Sequence, residues 1–118
     1  MKQTTTPTAN IINIEEITKS TRELNCNELL DFFRMHTYLF WSWGANGFAN
    51  YNNKALKFKV QGHYHKGYVY IVLNGMGLFD IYLTTTSGKI KETLNDIYLD
   101  QMFTLLDQKI EKLPQYTR

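Results

Sequence analysis

Lys54-Ala-Leu-Lys-Phe-Lys-Val60, Tyr68-Val-Tyr-Ile-Val-Leu73 and Leu78-Phe-Asp-Ile-Tyr-Leu83 decide the fold. All three alternate apolar and polar residues with a period of two, the pattern of strands buried on one side. Gln61-Gly-His-Tyr-His-Lys-Gly67 and Asn74-Gly-Met-Gly77 join them, and glycine-bearing connections this short suit hairpins. Neighbouring strands are therefore expected to be antiparallel, in a meander within Lys54–Thr86.

Downstream, Thr84-Thr-Thr-Ser-Gly-Lys89 reads as a turn and Lys89-Ile-Lys-Glu-Thr-Leu94 as a last strand. Asn95 or Asp96 then stands where it could cap a final helix. Its apolar stripe is Leu99, Met102, Phe103, Leu106, Ile110 and Leu113, at helical spacing. Lys109 and Lys112 complement the dipole at its end, and Pro114 stops it. Burying such a stripe contributes about 1.5–3 kcal/mol per large side chain.

Upstream, Asn25 or Asn27 can cap a first helix, and Asn25 with Glu28 forms a loose capping box. Leu29, Leu30, Phe32, Phe33 and His36 share one broad face of that helix, which is expected to end around Met35–Thr37. Tyr38-Leu-Phe-Trp-Ser-Trp43 reads as a strand, because aromatic residues suit a pleated surface; a continued helix through Trp41 is the competing reading. Gly44–Asn53 is a loop by composition, rich in Asn and Gly. Ile11–Ile17 is either a short edge strand or an irregular segment pinned by its isoleucines. Residues 1–10, Thr-rich and interrupted by Pro7, are expected to be a disordered arm.

The expected architecture is α+β and two-layered: an antiparallel meander of four to five strands, covered on one face by an N-terminal and a C-terminal helix. A chain of 118 residues has the length of one domain, here residues 11–118. Its 43% hydrophobic and 20% charged residues are globular proportions and exclude a disordered class. Cys26 is the only cysteine, so there is no internal disulfide framework, which fits a reducing compartment. Met1–Thr8 holds no apolar core of a signal peptide, and no run reaches the length of a membrane span. A cytoplasmic protein is expected.

The net charge of +2 argues for nothing alone, but its distribution is uneven. No acidic residue lies between Phe32 and Phe79, a span holding Arg34, Lys54, Lys57, Lys59, Lys66 and all three histidines. The acids gather in the flanks, from Glu15 to Asp31 and from Asp80 to Glu111. Strand alternation sets Leu56, Phe58, Val60, Val69, Ile71, Leu73, Phe79, Ile81 and Leu83 toward the helices. It leaves Lys57, Lys59, Tyr68, Tyr70 and Tyr82 on an open face. Lysines beside tyrosines on a sheet can track a phosphate backbone and stack bases. The plainer reading is that the lysines guard the sheet against aggregation and the tyrosines are cross-strand partners.

His63 and His65, two apart in Gly62-His-Tyr-His-Lys-Gly67, have a spacing that can hold a metal, but no cysteine or nearby carboxylate completes a site. A solvated turn with merely polar histidines is the plainer reading. Nucleotide-binding glycine patterns and the nucleophile elbow are missing, and Ser20, Ser42 and Ser87 have no evident base. Cys26 near a helix start reads as a small packing residue. The aromatics around Phe40-Trp-Ser-Trp-Gly44 are either core or an anchor for a protein partner.

Trp41-Ser-Trp-Gly-Ala-Asn, Asn52-Asn-Lys and Gly62-His-Tyr-His-Lys-Gly-Tyr-Val-Tyr-Ile71 resemble small proteins of Bacteroides-type gut bacteria and their mobile elements. That resemblance covers most of the chain after residue 25. No activity or catalytic residue is attached to that group, so it implies no function. The helix–strands–helix order also resembles double-stranded-RNA-binding domains in outline. Their Gly- and Lys-rich entry to the last helix is replaced here by Glu92 and Asp96, which rules that reading out.

The sequence thus points to a non-enzymatic binding module without cofactor, acting through a protein partner or a second copy of itself. The expected binding surface comprises Tyr51, Lys57, Lys59, His63, His65, Lys66, Tyr68 and Tyr70, on the Gly44–Asn53 loop, the Gly62–Gly67 turn and the open sheet face. Single-stranded nucleic-acid binding is the alternative, and a histidine metal site a distant one.

Overall fold

A computed structural model of the chain describes residues 11–35, 43–62 and 65–110. The expected arm at 1–10, residues 38–42 of the strand read at Tyr38–Trp43, His36, His63, and Lys112 to Pro114 lie outside the described residues; Trp43 itself is helical and not part of a strand. The elements are α1 (Ile14–Thr18), α2 (Cys26–Arg34), β1 (Asn46–Tyr51), β2 (Ala55–Gln61), β3 (Lys66–Leu73), β4 (Phe79–Thr84), β5 (Ile90–Ile97) and α3 (Leu99–Ile110). The five strands form one antiparallel meander in the order β1-β2-β3-β4-β5. This is the α+β sheet that period-two alternation requires.

One hydrophobic cluster unites the elements. Leu29 and Phe33 of α2 and Met102, Leu106 and Ile110 of α3 share it with Leu56, Phe58, Val60, Val69, Ile71, Ile81 and Leu83 of the strands. These seven strand residues belong to the nine that alternation placed on one face, and the other two, Leu73 and Phe79, are partly buried against the cluster. Phe58 is at its centre, with Phe33 edge-on at 5.9 Å and Phe48 stacked at 5.1 Å. Trp43 is fully buried in the same cluster, and its Nε1 donates to Asp107 Oδ1 at 3.0 Å. That bond satisfies a donor which burial would otherwise strand, and ties the chain before β1 to α3.

Gly44–Asn53 is not a loop. Six of its residues form edge strand β1, with a register shift between Asn46 and Ala49. Asn52 and Asn53 adopt φ of 53° and 57°, and Lys54 N donates to Tyr51 O at 2.8 Å. Two successive residues in the left-handed region make the hairpin turn whose twist matches the strands. The Asn-rich composition therefore marked a three-residue connection, Asn52 to Lys54, and not a long one.

Ile11–Ile17 is neither of its two readings. Ile11 bridges to Lys89, and a short helix, α1, then starts because Asn13 Oδ1 accepts from Glu16 N at 3.1 Å. This segment begins at the β4–β5 turn, where Ile12 N donates to Gly88 O, and reaches the opposite end of the sheet. There Lys54 Nζ donates to Thr18 O, Arg22 N to Leu73 O and Leu24 N to Asn53 O.

Helix α2 starts as expected, with Asn25 Oδ1 accepting from Glu28 N at 3.0 Å. Helix α3 does not start at Asn95 or Asp96, because β5 runs on through both to Ile97. Tyr98 takes the capping role: Gln101 N donates to its carbonyl at 3.0 Å, and Tyr98 N donates to Gln101 Oε1 at 3.3 Å.

Candidate functional site

The face carrying Lys57 and the tyrosines forms as alternation predicts, but much of it is not open. Antiparallel register sets Lys57 opposite Tyr70, which lies opposite Tyr82, and Lys59 opposite Tyr68. Lys57 Nζ lies 4.1 Å from the centre of the Tyr68 ring and 5.5 Å from that of Tyr70. The Tyr51 and Tyr70 rings stack at 6.4 Å. Ala55, opposite Tyr51 on β2, is too short to come between them. Tyr70 is only 6% exposed, and Ala55 and Val72 are fully buried. Tyr70 thus has no free face on which a base could stack, which corrects its assignment to an open surface.

Burial pulls the Lys57 ammonium down, but Tyr70 above all, then Tyr51 and Tyr68, outweigh this, and the net shift is upward. The cation is committed to its own tyrosines. Tyr82 is pushed up by burial and then by Asp80. Of the expected surface, Lys66 is exposed, and Lys59 and Tyr68 are half-buried.

His65 is not part of a solvated turn. It is 2% exposed, and its Nε2 lies 3.3 Å from Tyr68 O, so this nitrogen carries the hydrogen. Its backbone N donates to Ile110 O at the end of α3. Burial lowers its pKa, Lys91 lowers it further, and the Tyr68 bond and Glu92 oppose this. The flanking glycines explain the closeness. A Cβ on Gly62 would sit 2.2 Å from Ile110 O, and one on Gly67, with φ of 150°, would sit 2.1 Å from Thr84 O. The turn is clamped between α3 and β4, and its glycines are there for close approach.

Cys26 is buried against Ala55 O, and burial pushes its thiol up, away from a nucleophilic thiolate. Among the described residues, no group of three or more His, Cys, Asp or Glu is arranged to hold a metal ion. No helix among them is long and apolar enough to cross a membrane.

A different place, at the other end of the sheet, holds a mostly apolar cavity. A cavity of about 170 Å³ is lined by Leu24, Leu29, Phe32, Leu73, Phe79 and Leu99, with Asn25 and Glu28 as its polar members. Three features of the sequence bring these together. The Asn25 cap starts α2 directly after Leu24, which is held by its bond to Asn53. The β3–β4 turn returns the chain between Leu73 and Phe79. The Tyr98–Gln101 cap starts α3 at Leu99.

The β3–β4 turn is itself built by Asn74. Its Oδ1 accepts from Met76 N and Leu78 N, and its Nδ2 donates to Asp80 and Asp96 at 3.0 and 2.8 Å. Arg22 Nη2 donates to Gly75 O at 2.6 Å. The cavity reaches the surface at Leu99, which is 39% exposed, and this end of the sheet also presents Tyr98 and Met76, 57% and 72% exposed. Sequence reasoning missed this site because its residues fit a core stripe. Met76, an apolar residue in a Gly-rich turn, was the available signal.

Comparisons with protein-family models, with curated proteins and with solved structures find no match to this chain.

Proposed function

We propose that this protein is a small non-enzymatic interaction module, and that it works by taking a side chain of a protein partner into the cavity between α2, α3 and the β3–β4 end of the sheet. The observation that carries this reading is the cavity's size and lining. Small-molecule sites commonly span about 300–1,000 Å³ with several convergent polar groups. A dry apolar cavity of about 150 Å³ accommodates one benzene ring. At about 170 Å³, lined mainly by leucines and phenylalanines with Asn25 and Glu28 the polar members, this one has room for a single large side chain. A buried anchor of that kind, surrounded by an exposed apolar rim, is how protein interfaces concentrate their binding energy. Leu99 supplies part of such a rim, and Tyr98 and Met76 are exposed at the same end of the sheet.

The single-strand reading has less support, since Lys57 and Tyr70, two of its central groups, are engaged within the protein. A cytoplasmic setting accords with the lone cysteine, a buried free thiol of the kind that reducing compartments keep.

Photo-cross-linking in the producing cells tests the reading. A benzoylphenylalanine placed at Leu99 should yield one recurrent protein adduct, and the same group at Lys59 should not. Adducts from Lys59 alone, or adducts dissolved by nuclease, would transfer the function to the other face.

A further inference from the structure

We infer that the partner segment received by this cavity carries one leucine-, phenylalanine- or methionine-sized side chain flanked by lysine or arginine. The inference rests on the cavity being the binding site, and it follows from the charges around it. Glu28 lines the cavity. Glu23 and Asp100 each adjoin a lining residue in the chain, beside Leu24 and Leu99, and all three acids are exposed. The nearby cations do not balance them. Arg34 is taken up by Asp31, beside Phe32, and Arg22, though held at Gly75 O, keeps its charge, so the remaining acids outnumber the cations. Asp96, also exposed, stands at the same end of the sheet, bonded to Asn74. An apolar anchor with basic neighbours would meet complementary charge, and one with acidic neighbours would meet repulsion.

A second copy of the chain is the rival occupant. The opposite end of the sheet carries Lys59, Lys66, Lys89 and Lys91, with Ile11 bridged to Lys89 and 44% exposed. Docking that end into the cavity would join copies head to tail, at opposite poles of the molecule. Such contacts build open chains unless a rotation closes them, whereas most soluble self-assemblies are closed. A different protein is the occupant the geometry favours.

The test uses three short labelled peptides: leucine flanked by lysines, leucine flanked by glutamates, and serine flanked by lysines. The full-length protein is titrated into each, with anisotropy as the readout. The lysine-flanked leucine should bind and weaken as salt rises. The other two should bind about tenfold less well or not at all. Glu28→Lys, at an exposed position and checked for native circular dichroism, should reverse the preference between the two leucine peptides.

Equal binding of the leucine and serine peptides with lysine flanks would overturn the anchor. Equal binding of the two leucine peptides would overturn the basic flank and leave the interaction module standing. Binding by no peptide, with a protein adduct still forming at Leu99, would overturn the peptide chemistry alone; failure of both overturns the module as well. Sedimentation showing mass that grows with concentration, and no peptide binding, would assign the cavity to a second copy.

Discussion

His65 shows how one side chain can report on the whole assembly around it. Its ring is buried between the β2–β3 turn and the end of α3, so the native state favours the neutral form and its pKa falls below the ordinary 6.5. The unfolded chain takes up a proton near the ordinary value, and the folded chain only at lower pH. The stability contributed by neutral His65 is therefore whole above about pH 6.5 and drains away as pH falls through the lowered native value. Denaturant titrations from pH 7.5 down to 5 should show stability declining by as much as about 1.4 kcal/mol per pH unit, the slope of a single proton. In His65→Gln that part of the slope should vanish. An unchanged slope would mean that His65 titrates as freely in the folded chain as in the unfolded one.

Turns and caps decide where elements begin, and here asparagine does most of this at the element scale. Asn13 and Asn25 cap α1 and α2, Asn52 and Asn53 form the β1–β2 turn, and Asn74 holds the β3–β4 turn. Left-handed backbone costs an ordinary residue about 1–2 kcal/mol, less for asparagine, and more for a side chain branched at Cβ. Asn52→Val should accordingly lower the stability by about 1–2 kcal/mol, whereas Asn52→Gly should stay within a few tenths, as measured by thermal or denaturant unfolding. Equal losses from the two would show that φ at this turn is not what stabilises β1. The same chemistry explains why β1 escaped detection. Asn and Gly discourage strands on average, yet an edge strand with no buried residue needs only a turn and a neighbour to pair with.

The molecule as a whole is polarised, with lysines at the β2–β3 and β4–β5 end of the sheet and acids around the cavity at the other. A shared core holds the two ends in fixed relation. Leu106 is fully buried in that core, one α3 turn from Met102 and one from Ile110, so Leu106→Ala leaves a cavity beneath the sheet. It should cost about 2–5 kcal/mol while unfolding stays a single transition. Two separate transitions would mean that α3 and the sheet are independent units.

Local sequence determined the sheet. Period-two alternation in Lys54–Leu83 and the short glycine-bearing connections specify three strands, their order and their antiparallel sense, because a one-residue slip would turn every apolar side chain outward. It also determined α2, through the Asn25 cap, and the burial of Met102, Leu106 and Ile110 on α3, through helical spacing, though Leu99 of the same stripe is exposed. What only the tertiary structure decided is which side chains remain available. Tyr70 and Tyr68 look alike along β3, yet Tyr70 is buried beneath a stack with Tyr51, a residue from two strands away. His65 looked like a solvated turn residue until α3 closed over its backbone. Leu24, Leu29, Phe32, Leu73, Phe79 and Leu99 carry only the signature of a core. That they stop short of filling the space between them depends on distances between segments far apart in the chain. Periodicity encodes which way a side chain faces; the gap left when several faces meet is set by their packing.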